Sequence, residues 1–124
     1  KRLFNYSFLY KSLSISDNFY IPRSYKNVET GWLAFPLILK GKLASKRKEI
    51  QTFLEKAGIQ TRTIFTGNIM RHPIAKKFHW DSYGTFEISN MVMKSGILVG
   101  LHNRQTQEKL DYLVCKILEV ETLF

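Results

Sequence analysis

The chemistry-bearing residues of this chain concentrate in Thr61-Arg62-Thr63-Ile64-Phe65-Thr66-Gly67-Asn68-Ile69-Met70-Arg71-His72-Pro73. The run begins as a strand and breaks into a loop at Gly67-Asn68, and a loop held by a rigid element is where binding groups are displayed. Arg62 and Arg71 carry guanidinium forks of the kind that match carboxylate and phosphate. Asn68 has the donors and acceptor to meet a sugar hydroxyl, and Phe65 offers an apolar wall. The competing reading is a tight turn in which Gly67 and Asn68 take positive φ and both arginines are simply solvated. Composition alone does not separate the two.

His102 stands in Leu101-His102-Asn103-Arg104-Gln105-Thr106, just ahead of a helix start. There an imidazole either satisfies local backbone groups or lines a cleft and titrates near neutrality. Trp80, Tyr83 and Phe86 read as packing residues in preference to stacking platforms. His72, His79 and His102 are too scattered for a metal site, and no metal is expected. The sequence has no Gly-x-Gly-x-x-Gly, no Walker loop, no paired cysteines and no serine nucleophile elbow, so no residue is assigned a catalytic role.

The elements that must position these groups follow from periodicity. Leu3, Phe4, Tyr6, Phe8, Leu9 and Leu13 suggest the end of an amphipathic helix. Ser14 to Gly31 reads as extended loop around Pro22, and Trp32 to Leu39 as a strand whose Pro36 belongs at an edge or a bulge. Ser45 is the expected N-cap of a helix carrying Ile50, Phe53, Leu54 and Ala57, and Gly58 its stop. Ile59 to Phe65 alternates as a strand, Thr66 to Gly84 is irregular, and Glu87 to Met93 is helical. Gly96 to Leu101 forms a last strand, and Thr106 caps a closing helix with an apolar stripe from Leu110 to Leu118. Helices interleaved with about three short strands predict an α/β (α+β) two-layer sandwich.

At 124 residues with 44% hydrophobic composition, the chain is one ordered domain by length, residues 1–124. It opens on Lys1 rather than methionine, which suggests a piece of something longer. Its longest apolar run, Trp32 to Leu39, is too short to cross a bilayer. Cys115, the lone cysteine, sits in the periodic stretch near Leu113 and Ile117 and is expected near the core. One cysteine builds neither a disulfide framework nor a zinc site, and a reducing cytoplasm is the expected compartment. The net charge of +9 raises nucleic acid as a partner. The charge is dispersed, however. Its one dense group, Lys40, Lys42, Lys46, Arg47 and Lys48, spans an expected strand end, loop and first helical turn.

Several of these segments also carry a family resemblance. Gly58-Ile59-Gln60-Thr61-Arg62, after the helix ending in Phe53-Leu54-Glu55, resembles the C-terminal small domain of the DegT/DnrJ/EryC1/StrS sugar aminotransferase superfamily. Leu98-Val99-Gly100-Leu101-His102, followed by Thr106-x-Glu108 and the final helix, is similar to that superfamily's closing strand, histidine and helix. Trp32-x-x-Phe35-Pro36 and Phe65-x-Gly67-Asn68-x-x-Arg71-x-Pro73 look most like its CDP-4-keto-6-deoxyglucose 3-dehydrase branch. The likeness runs from the opening helix to Glu119.

The resemblance implies a parent enzyme of fold-type I, a homodimer that binds PLP or PMP (pyridoxal or pyridoxamine phosphate) between a large domain and this small one. It implies dehydration of a nucleotide sugar at carbon 3, toward the dideoxysugars of lipopolysaccharide O-antigen, with a reductase partner in some relatives. On the same ground Arg62, Phe65, Gly67, Asn68, Arg71 and His102 correspond to residues that face the active-site cleft, with His72 a weaker match. The Schiff-base lysine or its histidine replacement, and the iron–sulfur cysteines of some members, belong to the large domain. Cys115 does not match them. Gly84-Thr85-Phe86-Glu87-Ile88-Ser89-Asn90 departs from the Asp-Leu-Pro-Asn-Thr-Asp-like run of close dehydrases, which leaves the hexose open. The expectation is therefore a fragment that closes over cofactor and sugar and does not catalyse alone. A sugar aminotransferase domain, or a basic stand-alone nucleic-acid module, are the alternatives.

Overall fold

A computed structural model of the chain describes residues 1–124. In order it comprises helix α1 (Arg2–Leu13), strands β1 (Phe19–Tyr20) and β2 (Ala34–Leu39), helix α2 (Arg47–Lys56) and strand β3 (Thr61–Arg62). Helix α3 (Glu87–Ser95), strand β4 (Gly96–Gly100) and helix α4 (Gln107–Leu123) complete it, with short 3-10 turns at Gly41–Ser45, Ile69–Arg71 and Pro73–Lys77. The strands make one antiparallel sheet in the order β1-β2-β4-β3. The mixed α/β architecture expected from periodicity is present, with β1 as an additional short strand.

Period-two alternation decides which side chains of the sheet meet the helices. Phe35, Leu37 and Leu39 of β2, with Ile97 and Val99 of β4, enter the main core. There they meet Tyr6, Leu9 and Leu13 of α1, Ile50 and Leu54 of α2, and the α4 stripe of Leu110, Leu113, Ile117 and Val120. The other face of β2 carries Pro36 and Ile38, also buried but outside that cluster, and α3 packs against this strand. Three helices thus cover one face, while α3 covers the second.

Two polar or aromatic contacts lock α1 to the sheet. Asn5, fully buried, donates its Nδ2 to the His102 carbonyl at 2.9 Å, just beyond β4. Tyr6 stacks on Trp32 with ring centroids 4.0 Å apart and planes 5° from parallel, and its hydroxyl donates to the Pro22 carbonyl. Burial is the leading cause that pushes the Tyr6 phenol up to about 12, reinforced by Tyr10 and Tyr20.

The caps and ends follow the sequence only in part. Thr106 caps α4 by accepting from the Lys109 N–H at 3.4 Å, and Gly58 takes φ +77° after α2. Ser45 does not cap α2; Lys46 occupies that position without a side-chain bond, because Ser45 belongs to the preceding 3-10 turn. Pro36 lies in an interior strand instead of an outer one. β1 pairs only with Leu39 and Ile38, however, so on that side β2 is open by the time Pro36 is reached. Its missing donor is therefore tolerated at a locally unpaired edge. Ile59 to Phe65 is strand only at Thr61–Arg62, because Phe65 turns to φ +45°. Cys115 is exposed on α4 and is not a core residue, since the buried stripe passes through Leu113 and Ile117 on another face. Tyr83 is 98% exposed and Trp80 packs edge-on to Phe78, so these aromatics do not reach the core. No helix is long and apolar enough to cross a membrane.

Two outcomes test this arrangement. Phe35→Ala, at a fully buried side chain, is expected to cost about 3–5 kcal/mol in denaturant unfolding. The Tyr6 phenol, neutral in the fold, contributes stability that is complete below pH 10.0 and declines as pH rises toward about 12. Comparing the ultraviolet pH titration and unfolding of the wild type with Tyr6→Phe should show that loss only in the wild type.

Candidate functional site

Strand β3 pairs Thr61 with Val99 and Arg62 with Leu98, which carries the following loop toward the first residue of β4. That residue, Gly96, follows directly on Ser95 of α3, so the helix runs into the strand without a connecting loop. The junction is tight: a Cβ on Gly96 would lie 2.5 Å from the Val92 carbonyl oxygen and 2.8 Å from Ile64. The loop after β3 is thereby pressed against α3.

Its turn is closed by the Gly67 N–H donating to the Ile64 carbonyl at 3.1 Å. Gly67 takes φ +65°, and a Cβ there would sit 2.4 Å from Cβ of Met93. Both the backbone conformation and the close approach require glycine. Asn68 does not share the positive φ; its φ is −105°, and Phe65 takes the left-handed position instead, with 87% of its surface exposed. Asn68 is 3% exposed and fully engaged in the local network. Its Oδ1 accepts from the Met70 N–H at 3.0 Å, and its Nδ2 donates to Oδ1 of Asn90 at 2.8 Å. Nε of Arg71 donates to the same Asn90 oxygen at 3.1 Å.

A shallow concavity of about 160 Å³ opens beside this turn, lined by Arg47, Thr63, Phe65, Thr66, His72 and Met93 among others. Arg47 donates to the Met93 carbonyl at 2.6 Å and so fastens the end of α3 to α2. His72 contacts the Thr66 carbonyl at 2.7 Å through Nε2. Since a carbonyl only accepts, that nitrogen carries the hydrogen.

The sequence-derived residues therefore fall into separate places. Phe65, Gly67, Asn68 and Arg71 are brought together at the α3–β4 junction. Arg62 is exposed on the outer strand β3, where its guanidinium donates to the Thr61 carbonyl at 2.8 Å. His102 lies beyond the opposite end of β4, on the order of 15 Å away at the usual rise per strand residue. Its Nδ1 accepts from the Arg104 N–H at 3.1 Å, which is the local backbone-satisfying role. Arg47, Asn90 and Met93 escaped sequence reasoning. Asn90 and Met93 stand three apart on α3 and so share a face, but nothing in their order says that this face grips the loop. No group of His, Cys, Asp and Glu residues is positioned to hold a metal.

The sequence pattern of the DegT/DnrJ/EryC1/StrS aminotransferase family matches residues 1–118. The chain belongs to this family. It is 30% identical over 120 residues to the lipopolysaccharide biosynthesis protein RfbH of Salmonella typhimurium, covering 96% of this chain and 28% of that protein. It is 29% identical over 98 residues to a GDP-4-keto-6-deoxy-D-mannose 3-dehydratase of Escherichia coli O55:H7, covering 78% of this chain and 25% of that enzyme. Among solved structures, a GDP-4-keto-6-deoxymannose-3-dehydratase with a trapped PLP-glutamate geminal diamine superimposes with a TM-score of 0.82 at 24% identity, over 93% of this chain and 30% of that one. PseC of Helicobacter pylori, an aminotransferase of pseudoaminic acid biosynthesis, gives 0.83 at 13% identity over 99% of this chain and 32% of that one. This member of the family thus spans little more than a quarter of the curated relatives it matches.

The Gly67 seat is directly testable. Gly67→Ala combines strained φ with overpacking on Met93 and is expected to destabilise by about 1–3 kcal/mol in denaturant unfolding. Gly31→Ala, where a Cβ meets nothing within 4 Å, serves as the control and should leave the midpoint almost unmoved.

Proposed function

We propose that this chain is the small domain of a PLP- or PMP-dependent nucleotide-sugar 3-dehydratase serving dideoxysugar and lipopolysaccharide O-antigen biosynthesis. The observation that carries the reading is the 30% identity to RfbH along 96% of the chain, from which the remaining length of that relative is missing. Fold alone does not separate the dehydratase from an aminotransferase, since both superimpose equally well, at 0.82 and 0.83. Sequence favours the dehydratase, because three of the four curated relatives bear that name at 27–31% identity. A sugar aminotransferase is the second reading, and the Schiff-base position that distinguishes the two lies outside these residues.

The site supports a partial role. Its lining includes Arg47, Thr63, Thr66 and His72 beside Phe65 and Met93, a set that suits one wall against a phosphate-bearing ligand. When bound in the parent, the cofactor supplies the electron sink. This chain's residues orient and enclose: Arg71 faces anionic groups and Phe65 forms an apolar wall, both set by the turn at Gly67-Asn68, while Arg62 faces anionic groups from the outer strand β3. His102 serves the cleft from beyond the other end of β4. The large domain, a second subunit and a reductase complete the enzyme in this account. Catalytic groups from separate domains act only when positioned together, so the 124-residue chain alone lacks turnover.

The experiment mixes the isolated chain, and separately the full gene product that contains it, with PMP, a competent reductase and either CDP-4-keto-6-deoxyglucose or GDP-4-keto-6-deoxymannose. Loss of the 3-hydroxyl is expected only with the full product. Sustained turnover by the isolated chain contradicts the fragment account, and amino transfer by the full product replaces the dehydratase with the aminotransferase.

A further inference from the structure

We infer that Asn90 is a positioning residue, which orients the Arg71 guanidinium toward the phosphate groups of the nucleotide sugar. The inference rests on the function proposed above and adds a residue that neither motif nor resemblance singled out.

The hydrogen-bond inventory of the network admits one arrangement. Arg71 can only donate, so the Asn90 atom facing its Nε at 3.1 Å is the carbonyl oxygen Oδ1. That same oxygen lies 2.8 Å from Asn68, which must therefore present its amide nitrogen. The remaining Asn68 oxygen then faces the Met70 N–H at 3.0 Å, again a pure donor. Both ends of the chain of bonds dictate the same orientation. The Asn90 oxygen uses both its lone pairs, and the buried Asn68 is satisfied at each end.

The consequence falls on Arg71. Its Nε is committed to Asn90, whereas no protein group bonds or ion-pairs with its terminal nitrogens, and the side chain is exposed. An arginine held at Nε still offers two parallel N–H bonds from its end, the arrangement suited to phosphate oxygens. Holding it also removes rotamer freedom that binding would otherwise have to take away. Asn90 is itself well anchored. It sits one turn before Met93, which underlies Gly67 and whose carbonyl is held by Arg47 at 2.6 Å. One face of α3 therefore fixes both the turn and the arginine that follows it.

The test uses the full gene product as wild type, Asn90→Ala, Asn90→Asp, Arg71→Lys and the double variant Asn90→Ala/Arg71→Lys. Steady-state kinetics with GDP-4-keto-6-deoxymannose should show KM raised about tenfold by Asn90→Ala with kcat changed less than about threefold, the scale of losing one hydrogen bond to a charged group. Asn90→Asp, which keeps two acceptor positions, should stay near wild type. The double variant should be no worse than Arg71→Lys, because Asn90 acts through Arg71. Additive losses, or an unchanged KM in Asn90→Ala, overturn the inference. Calorimetric titration of the same proteins with inorganic pyrophosphate needs no turnover and separates this claim from the proposed reaction. Wild-type binding weakened in Asn90→Ala and kept in Asn90→Asp upholds the positioning role even where no sugar is dehydrated. Equal affinity in wild type and Asn90→Ala, or no binding by wild type, overturns it.

Discussion

The antiparallel pairing of β2 with β4, from Ala34 opposite Gly100 to Ile38 opposite Gly96, is the constraint on which the rest of the molecule depends. It joins segments about sixty residues apart and places Phe35, Leu37, Ile97 and Val99 on one face, where the three core helices converge. Because β4 begins at the residue after α3 ends, fixing the strand also fixes the helix. The Gly96 junction leaves no slack, since even a single added carbon would meet the Val92 carbonyl and Ile64. A helix held so rigidly can serve as a template for a loop that has little regular structure of its own.

That template resolves an apparent weakness of the β3 region. Only Thr61 and Arg62 form ladder pairs, and a two-residue strand adds little order by itself. The loop beyond it is held instead by shape and polar matching: Gly67 against Met93, and Asn68 and Arg71 against Asn90. The buried amide of Asn68 is stabilising only because each of its ends is bonded, since an unsatisfied buried polar group costs more than a made hydrogen bond gains. Phe65 and the terminal nitrogens of Arg71 are left facing outward from this fixed base. Groups that are held firmly but remain unsatisfied by their own chain suit a surface that works against something else.

The same logic separates His102 from this group. It lies at the far end of β4, where its carbonyl receives Asn5 and its ring accepts the Arg104 N–H. Through these two bonds the residue knits α1 to the turn before α4. The chain belongs to the DegT/DnrJ/EryC1/StrS family and spans 28% of the length of RfbH.

Much of the fold was legible in the residue order because it rests on local periodicity. The stripes of α2 and α4, the Thr106 cap, the Gly58 stop and the apolar strand before Lys40 each follow from spacing that a short window contains. Residue types likewise marked Gly67 and Asn68 as a turn after the strand, and the motif they share with Arg71 pointed to the family. Tertiary structure alone decided which of the proposed site residues share a place, and it divided them between the two ends of β4. It also placed the left-handed conformation at Phe65 in preference to Asn68, exposed Cys115, and recruited Asn90, Met93 and Arg47. These outcomes depend on register across the sheet and on the approach of α3 to a loop some twenty residues earlier, interactions between segments that no local pattern in either one encodes.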